Sequence, residues 1–263
     1  MKSISGTIWR MKSVPDRLIL KIKQNFNISY LLSKIFIANN YTDEEIYNSL
    51  TDDSDNNISY INSDFAKAAK ILFECIENQE KILIFGDYDV DGYSSTYILY
   101  DFLKQQNLNC DYFIPNRFKD GYGPNINLLK KLLFNKKYNL VFFVDCGSNA
   151  SEEINFLENK GINVIVIDHH KLYKKKIYKR AIIINPFKDL AHDQYFFFCA
   201  TTLVYFFLKY LSNFFLQENS LNFNKYLFFS AIATICDQMP LRNINKLIVK
   251  KGLNKFKVNN FKN

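Results

Sequence analysis

Three segments of this chain read as a buried apolar run that stops abruptly at acids or imidazoles: residues 81–92 (KILIFGDYDVDG), 140–147 (LVFFVDCG) and 162–170 (INVIVIDHH). Short apolar runs bounded by turn residues are the mark of strands covered on both faces, which occur in parallel sheets. In such a sheet the carboxyl ends of neighbouring strands open into one crevice, so side chains from separate segments can converge there. This pattern predicts an α/β fold with ligand-type residues gathered at one sheet edge, and it points to a metal-dependent enzyme.

The rest of the chain agrees with that class. Strands are predicted at 81–86, 109–114, 138–144, 163–168 and 181–184, with helices at 94–106, 125–134 and 150–160. Alternation of this kind implies right-handed crossovers and a mainly parallel sheet flanked by helices. Beyond Asn185 the pattern turns helical, at 198–215, 224–236 and 246–257. The first eighty residues also read as helical: apolar periodicity runs through 28–38, and Thr42 to Glu45 (TDEE) has the form of a capping box. A polar stretch at 52–57 reads as a loop, and 63–76 as an amphipathic helix. The expected organisation is a helical leader, 1–79, packing on a catalytic domain, 80–263.

The chain has 263 residues, a net charge of +8 and a sequence pI near 9.0. A basic surface gathers phosphates, so the balance favours an anionic partner such as nucleic acid. The densest basic run, 171–180, holds five Lys and one Arg directly after the paired histidines. Five scattered cysteines without a CxxC pair argue against a disulfide framework or a zinc ribbon. The amino terminus lacks the apolar core of a signal peptide, so a reducing cytoplasm is the expected compartment. Residues 195–216 are rich in Phe and Leu but carry Lys209, which leaves the run too short for a bilayer. A buried helix and no membrane partner are expected.

Asp87, Asp89 and Asp91 alternate in a turn closed by Gly92. Carboxylates so close repel one another unless cations offset them. A calcium loop of the helix–loop–helix type is excluded, because Ile98 stands where its twelfth position needs a bidentate Glu and a strand precedes the turn. Asp145 ends the second run, where an Asp serves either as a ligand or as a cap for the following helix. Asp168-His169-His170 is the most informative triplet, since the chain has only three His and two are adjacent here. His169 is expected to bind a divalent metal through one ring nitrogen, with Asp168 fixing its orientation. His170 is expected to point to the other side of the backbone, toward a substrate phosphate.

In combination, GDYDVDG at 86–92, DCG at 145–147, DHH at 168–170 and CDQMPL at 236–241 resemble the DHH phosphoesterase superfamily, in its order and approximate spacing. Within it, IPNRFKDGYG at 114–123 is similar to a segment of the RecJ-type single-strand-specific exonucleases. Phe85, where other branches place a metal-binding His, agrees with that placement; the run after Leu241, RNINK, departs from it. The resemblance implies two Mn2+ or Mg2+ ions held by Asp89, Asp91, Asp145, His169 and Asp237, with Asp145 bridging and Asp87 auxiliary. It implies Asp168 and His170 as catalytic residues and Arg117 with His170 as phosphate ligands, the guanidinium fork suiting that task. The implied activity is 5′-to-3′ hydrolysis of single-stranded DNA to nucleoside 5′-monophosphates in repair or recombination. The resemblance implies a continuation, in RecJ-type proteins, into a second cleft domain and an OB domain, neither of which is expected within these residues. The expectation is a fragment, a split gene product, or a minimal form completed by another chain. A small-substrate phosphoesterase and a catalytically silent nucleic-acid-binding partner are the alternatives.

Overall fold

The computed structural model describes residues 4–6, 8, 10, 12–51, 60–173, 178–188, 197–216 and 222–255. The chain divides into two units, Met1–Asn56 and Asn57–Asn263. The first contains α1 (Asp16–Phe26), α2 (Tyr30–Ala38) and α3 (Asp43–Leu50). Asn27 ends α1 in the left-handed conformation, φ 50°, and the Ser29 hydroxyl caps α2 by accepting from Leu32 N. The predicted capping box is present: Glu45 N donates to Thr42 Oγ1 at 3.1 Å while Thr42 N donates to Glu45 Oε2 at 2.8 Å. Ile22, Phe36 and Ile46 form the small core that these helices enclose.

The second unit runs α4 (Phe65–Glu77), β1 (Ile82–Phe85), α5 (Val90–Gln105), β2 (Cys110–Phe113), α6 (Ile126–Leu133), β3 (Leu140–Val144), α7 (Ser151–Asn159), β4 (Asn163–Ile167) and β5 (Ile182–Ile184). It ends in α8 (Ala200–Leu211), α9 (Phe223–Cys236) and α10 (Asn243–Lys255). All five strands pair in parallel, in the order β2-β1-β3-β4-β5. Strand side chains alternate between faces, and the core divides accordingly. Ile82, Ile84, Leu140, Phe142, Val144, Ile165 and Ile167 pack with α4, α5 and α8–α10. Leu83, Phe85, Val141, Phe143, Val164 and Val166 pack with α6 and α7 on the other side.

All five predicted strands form, within three residues of their expected ends. Three boundaries moved for physical reasons. Helix α4 places Phe65, Ala68, Ala69 and Leu72 in the sheet's core, so it belongs to the second unit and not to a leader ending at residue 79. Helix α5 starts at Val90, not Ser94, because Asp89 caps it by accepting from Gly92 N at 2.9 Å; Asp91 and Gly92 therefore lie in its first turn. Helix α10 starts at Asn243, three residues before its expected position. The 52–57 loop and residues 174–177 of the basic run lie outside the described residues. Among the described residues no helix is long and apolar enough to cross a membrane. The apolar segment near residue 200 is α8, buried along almost its whole length.

Edge strand β2 is tied to its neighbours through Asp111, which accepts from Tyr138 Oη at 2.6 Å and Lys136 Nζ at 3.0 Å and pairs with Lys81 at 3.2 Å. Burial opposes ionisation of this carboxyl, but the three donors outweigh it and hold the pKa at about 2. A depressed folded-state pKa stabilises above the unfolded value, and that contribution fades as pH falls through the folded one. Between about pH 4 and about pH 2 the wild type should thus lose more stability than Asp111→Asn. Urea midpoints measured across that range check it.

Candidate metal centre

The strand order reverses its winding direction between β1 and β3, and ligands of open α/β sheets bind in the crevice at such a switch point. The turn after β1 carries Asp87, Asp89 and Asp91; the residue after β3 is Asp145; the residues after β4 are Asp168, His169 and His170. Asp237, at the carboxyl end of α9, reaches the same opening. Ligand atoms gather there in three groups, each within 4.8 Å: Asp87, Asp89 and Asp145; Asp145, His169 and His170; Asp91, His169 and Asp237. Asp145 and His169 each belong to two groups.

Backbone geometry aims these side chains. Asp145 holds φ 59°, a left-handed conformation uncommon for a non-glycine residue and found where a site over-determines it. Gly147 follows at φ 97°, with Phe143 Cβ only 2.8 Å from where its own Cβ would stand. His169 Nε2 lies 3.3 Å from Asp145 Oδ1, 3.5 Å from Asp237 Oδ2 and 3.7 Å from Asp91 Oδ2. These are the spacings of donor atoms facing a common point.

The electrostatics favour a bound cation. Burial, then the charges of Asp91, Asp89, Asp168 and Asp87, pushes the Asp145 carboxyl well above the ordinary carboxylate range. Burial raises Asp87 to about 6, with Asp89 and Asp168 adding to the effect against the Tyr88 backbone N–H and His170. Asp237 is also raised, by burial and by Asp91 and Asp89, against the pull of His169. Buried oxygens Asp87 Oδ1 and Asp145 Oδ1 have no hydrogen-bond partner, a costly condition that a bound cation relieves. Carboxylate oxygens with an imidazole suit a hard or borderline divalent ion, so the residues present fit a metal.

Two helix amino termini temper the charge. Asp89 caps α5. Asp91 reaches across to α8, accepting from Ala200 N at 2.7 Å, Thr201 N at 2.8 Å and Thr201 Oγ1 at 2.6 Å. This supplies the cap that Cys199, at the N-cap position, does not make with its own side chain.

Every acid and imidazole singled out in the sequence lies at this edge, but two details differ. Asp168 orients His170, not His169: His170 Nδ1 donates to Asp168 Oδ1 at 2.7 Å, and the backbone N–H groups of His169, His170 and Ser148 donate to the same carboxylate. These bonds outweigh burial and hold Asp168 at about 2, while His170 is raised above its ordinary value. Nor do the two imidazoles diverge. Their centroids lie 4.8 Å apart, because the strand ends at Ile167 and its side-to-side alternation ends with it. Arg117 stands outside the acid groups, over the ring of Tyr88 at 5.4 Å.

Several contributors had no sequence signal of their own. Tyr122 Oη lies 3.3 Å from His170 Nδ1 and 3.5 Å from the Asp145 carbonyl oxygen. Fully buried Asn185 donates to Ser148 Oγ at 2.8 Å and to the His170 carbonyl at 2.9 Å. Tyr122 sits inside the 114–123 segment, in which the sequence singles out Arg117 alone.

Gly92 is required by close approach: a Cβ there would stand 2.4 Å from the Asp87 carbonyl oxygen. Gly92→Ala should destabilise the second unit by roughly 1–3 kcal/mol, as overpacking does, read as a lowered urea midpoint.

The sequence matches the DHH family, N-terminal domain, over residues 81–234. It is 28% identical over 261 residues to the single-stranded-DNA-specific exonuclease RecJ of Bacillus subtilis (strain 168), covering 96% of this chain and 31% of that protein. With RecJ of Haemophilus influenzae it shares 33% identity over 196 residues, 71% of this chain and 33% of the relative. A crystal structure of exonuclease RecJ bound to manganese superposes with a TM-score of 0.66 at 28% identity, over 76% of this chain and 49% of that one. The chain spans about a third of the length of the curated relatives it matches. The parallel sheet, the converging acids and the paired histidines, together with this match over more than half of its residues, make the chain a member of the DHH family.

Proposed function

We propose that this chain is the metal-binding catalytic part of a RecJ-like exonuclease, hydrolysing phosphodiesters from the 5′ end of single-stranded DNA in repair or recombination. The observation that carries the reading is the joining of three ligand groups through Asp145 and His169. Asp89, Asp91, Asp145, His169 and Asp237 would hold two Mn2+ or Mg2+ ions, with Asp145 shared and Asp87 auxiliary. Bound there, such a pair supplies neutralisation of phosphate charge and activation of a water for attack on phosphorus.

The remaining roles fall to the chain itself. Asp168 keeps His170 oriented and favours its cationic form, which suits a phosphate oxygen. Arg117 offers a guanidinium that makes no ion pair among the described residues. Exposed aromatic rings on neighbouring segments, Tyr93 on α5 and Phe118 and Tyr122 after β2, offer surfaces on which unpaired bases can stack. That favours a single strand over a small substrate such as pyrophosphate, as does the net charge of +8.

The test is a comparison of labelled single-stranded DNA, short RNA and pyrophosphate with Mn2+, alongside calorimetric Mn2+ titration. Mononucleotide release from the DNA is expected, lowered at least about 100-fold by Asp145→Asn or His169→Ala, which should also weaken Mn2+ binding. Mn2+ binding indifferent to both substitutions would sink the reading; hydrolysis of pyrophosphate alone would transfer it to the small-substrate class.

A further inference from the structure

Arg117 presents an electrostatic puzzle. Its guanidinium lies over the ring of Tyr88, the residue between Asp87 and Asp89 of the carboxylate cluster. Bidentate pairing with a carboxylate is the ordinary outcome for such an arginine. Yet among the described residues Arg117 makes no ion pair, and its guanidinium stands over an aromatic face.

The backbone under Arg117 is held by its own turn. Asn116 Oδ1 accepts from Phe118 N at 3.0 Å and Lys119 N at 3.1 Å, while Asn116 N donates to Asp120 Oδ2 at 2.9 Å. The remaining freedom is in the long side chain, and the Tyr88 ring lies against its guanidinium. Tyr88 is itself braced: it meets Tyr122 edge to face at 6.4 Å, and Tyr122 meets His170 in the same manner at 5.7 Å. Arg117, Tyr88, Tyr122 and His170 thus touch one another in succession.

We infer that Tyr88 is a positioning residue, whose ring holds Arg117 off the neighbouring carboxylates and sets its distance from His170, so that the guanidinium donors stay free for a phosphate. This rests on the proposed role of Arg117 as a phosphate ligand. A cation over a ring face is attracted by the ring quadrupole and keeps its in-plane N–H groups unspent. The phenol oxygen has no part in the stack, so Phe should replace Tyr88 and an aliphatic residue should not.

The experiment reads Arg117 directly and needs no turnover. In 15N-labelled protein with Mg2+, the Arg117 side-chain Nε–Hε resonance, assigned through Arg117→Lys, should show an upfield ring-current shift. Tyr88→Phe should keep that shift and Tyr88→Leu abolish it. Inorganic phosphate titrated into each protein should move the resonance, with affinity unchanged in Tyr88→Phe and weakened about fivefold or more in Tyr88→Leu. Calorimetric Mn2+ binding should be the same in all three, which separates repositioning of Arg117 from damage to the acid cluster. The inference is overturned by absence of the ring-current shift in the wild type, by a phosphate response that ignores Tyr88→Leu, or by an Arg117 resonance that phosphate does not move. Failure of the wild type to hydrolyse any substrate strikes the proposed activity alone, because none of these readouts depends on it.

Discussion

Repulsion among carboxylates is the constraint around which the second unit is arranged. Five Asp side chains and two imidazoles share one opening at the sheet's carboxyl edge, and burial makes their mutual charge more costly than it would be in water. The fold answers with fixed dipoles. The amino terminus of α5 receives Asp89 and that of α8 receives Asp91, each through backbone N–H groups that a helix leaves unspent. What those donors do not cover is visible as raised carboxyls at Asp145, Asp87 and Asp237 and as two buried oxygens without partners. The residual negative charge defines what the site can bind.

The sheet delivers the acids to one place by register. Phe85 pairs with Phe143, Val144 with Ile167, and Ile167 with Ile184, so neighbouring strands finish nearly level. Asp145 and Asp168 each follow their strand directly, and Asp87 follows β1 after one glycine. A one-residue slip would send alternate side chains to the wrong face and bury the apolar set in the wrong layer. Two well-filled layers of apolar side chains, one on each face, hold the register.

Behind the ligand groups stands a set of residues whose work is orientation. Asp168 accepts four hydrogen bonds and keeps His170 in place, Asn185 ties the His170 carbonyl to the next strand, and Asp91 joins α5 to α8. Glu158 at the end of α7 accepts from the backbone N–H groups of Lys179, Arg180 and Ala181, fixing the return from the basic run into β5. Such supports make a site rigid enough to hold an ion without collapsing on itself.

The periodicity of apolar residues determined the α/β class, all five strands and the general positions of the helices, because burial on both faces writes an unbroken apolar run into the chain. The same runs end in Asp87, Asp145 and Asp168, so the ligand residues were legible as strand termini. Partnership was decided only in three dimensions. Nothing local to Asp168 says that it holds His170 and not His169, since that depends on where β4 stops and how the chain bends afterwards. Nothing local to Asp91 says that it caps a helix more than a hundred residues later, and Tyr88 and Tyr122 read as ordinary aromatics until the fold sets them between Arg117 and His170. A side chain's chemistry is carried by its type, but its hydrogen bonds and neighbouring charges come from whichever segments the packing brings beside it.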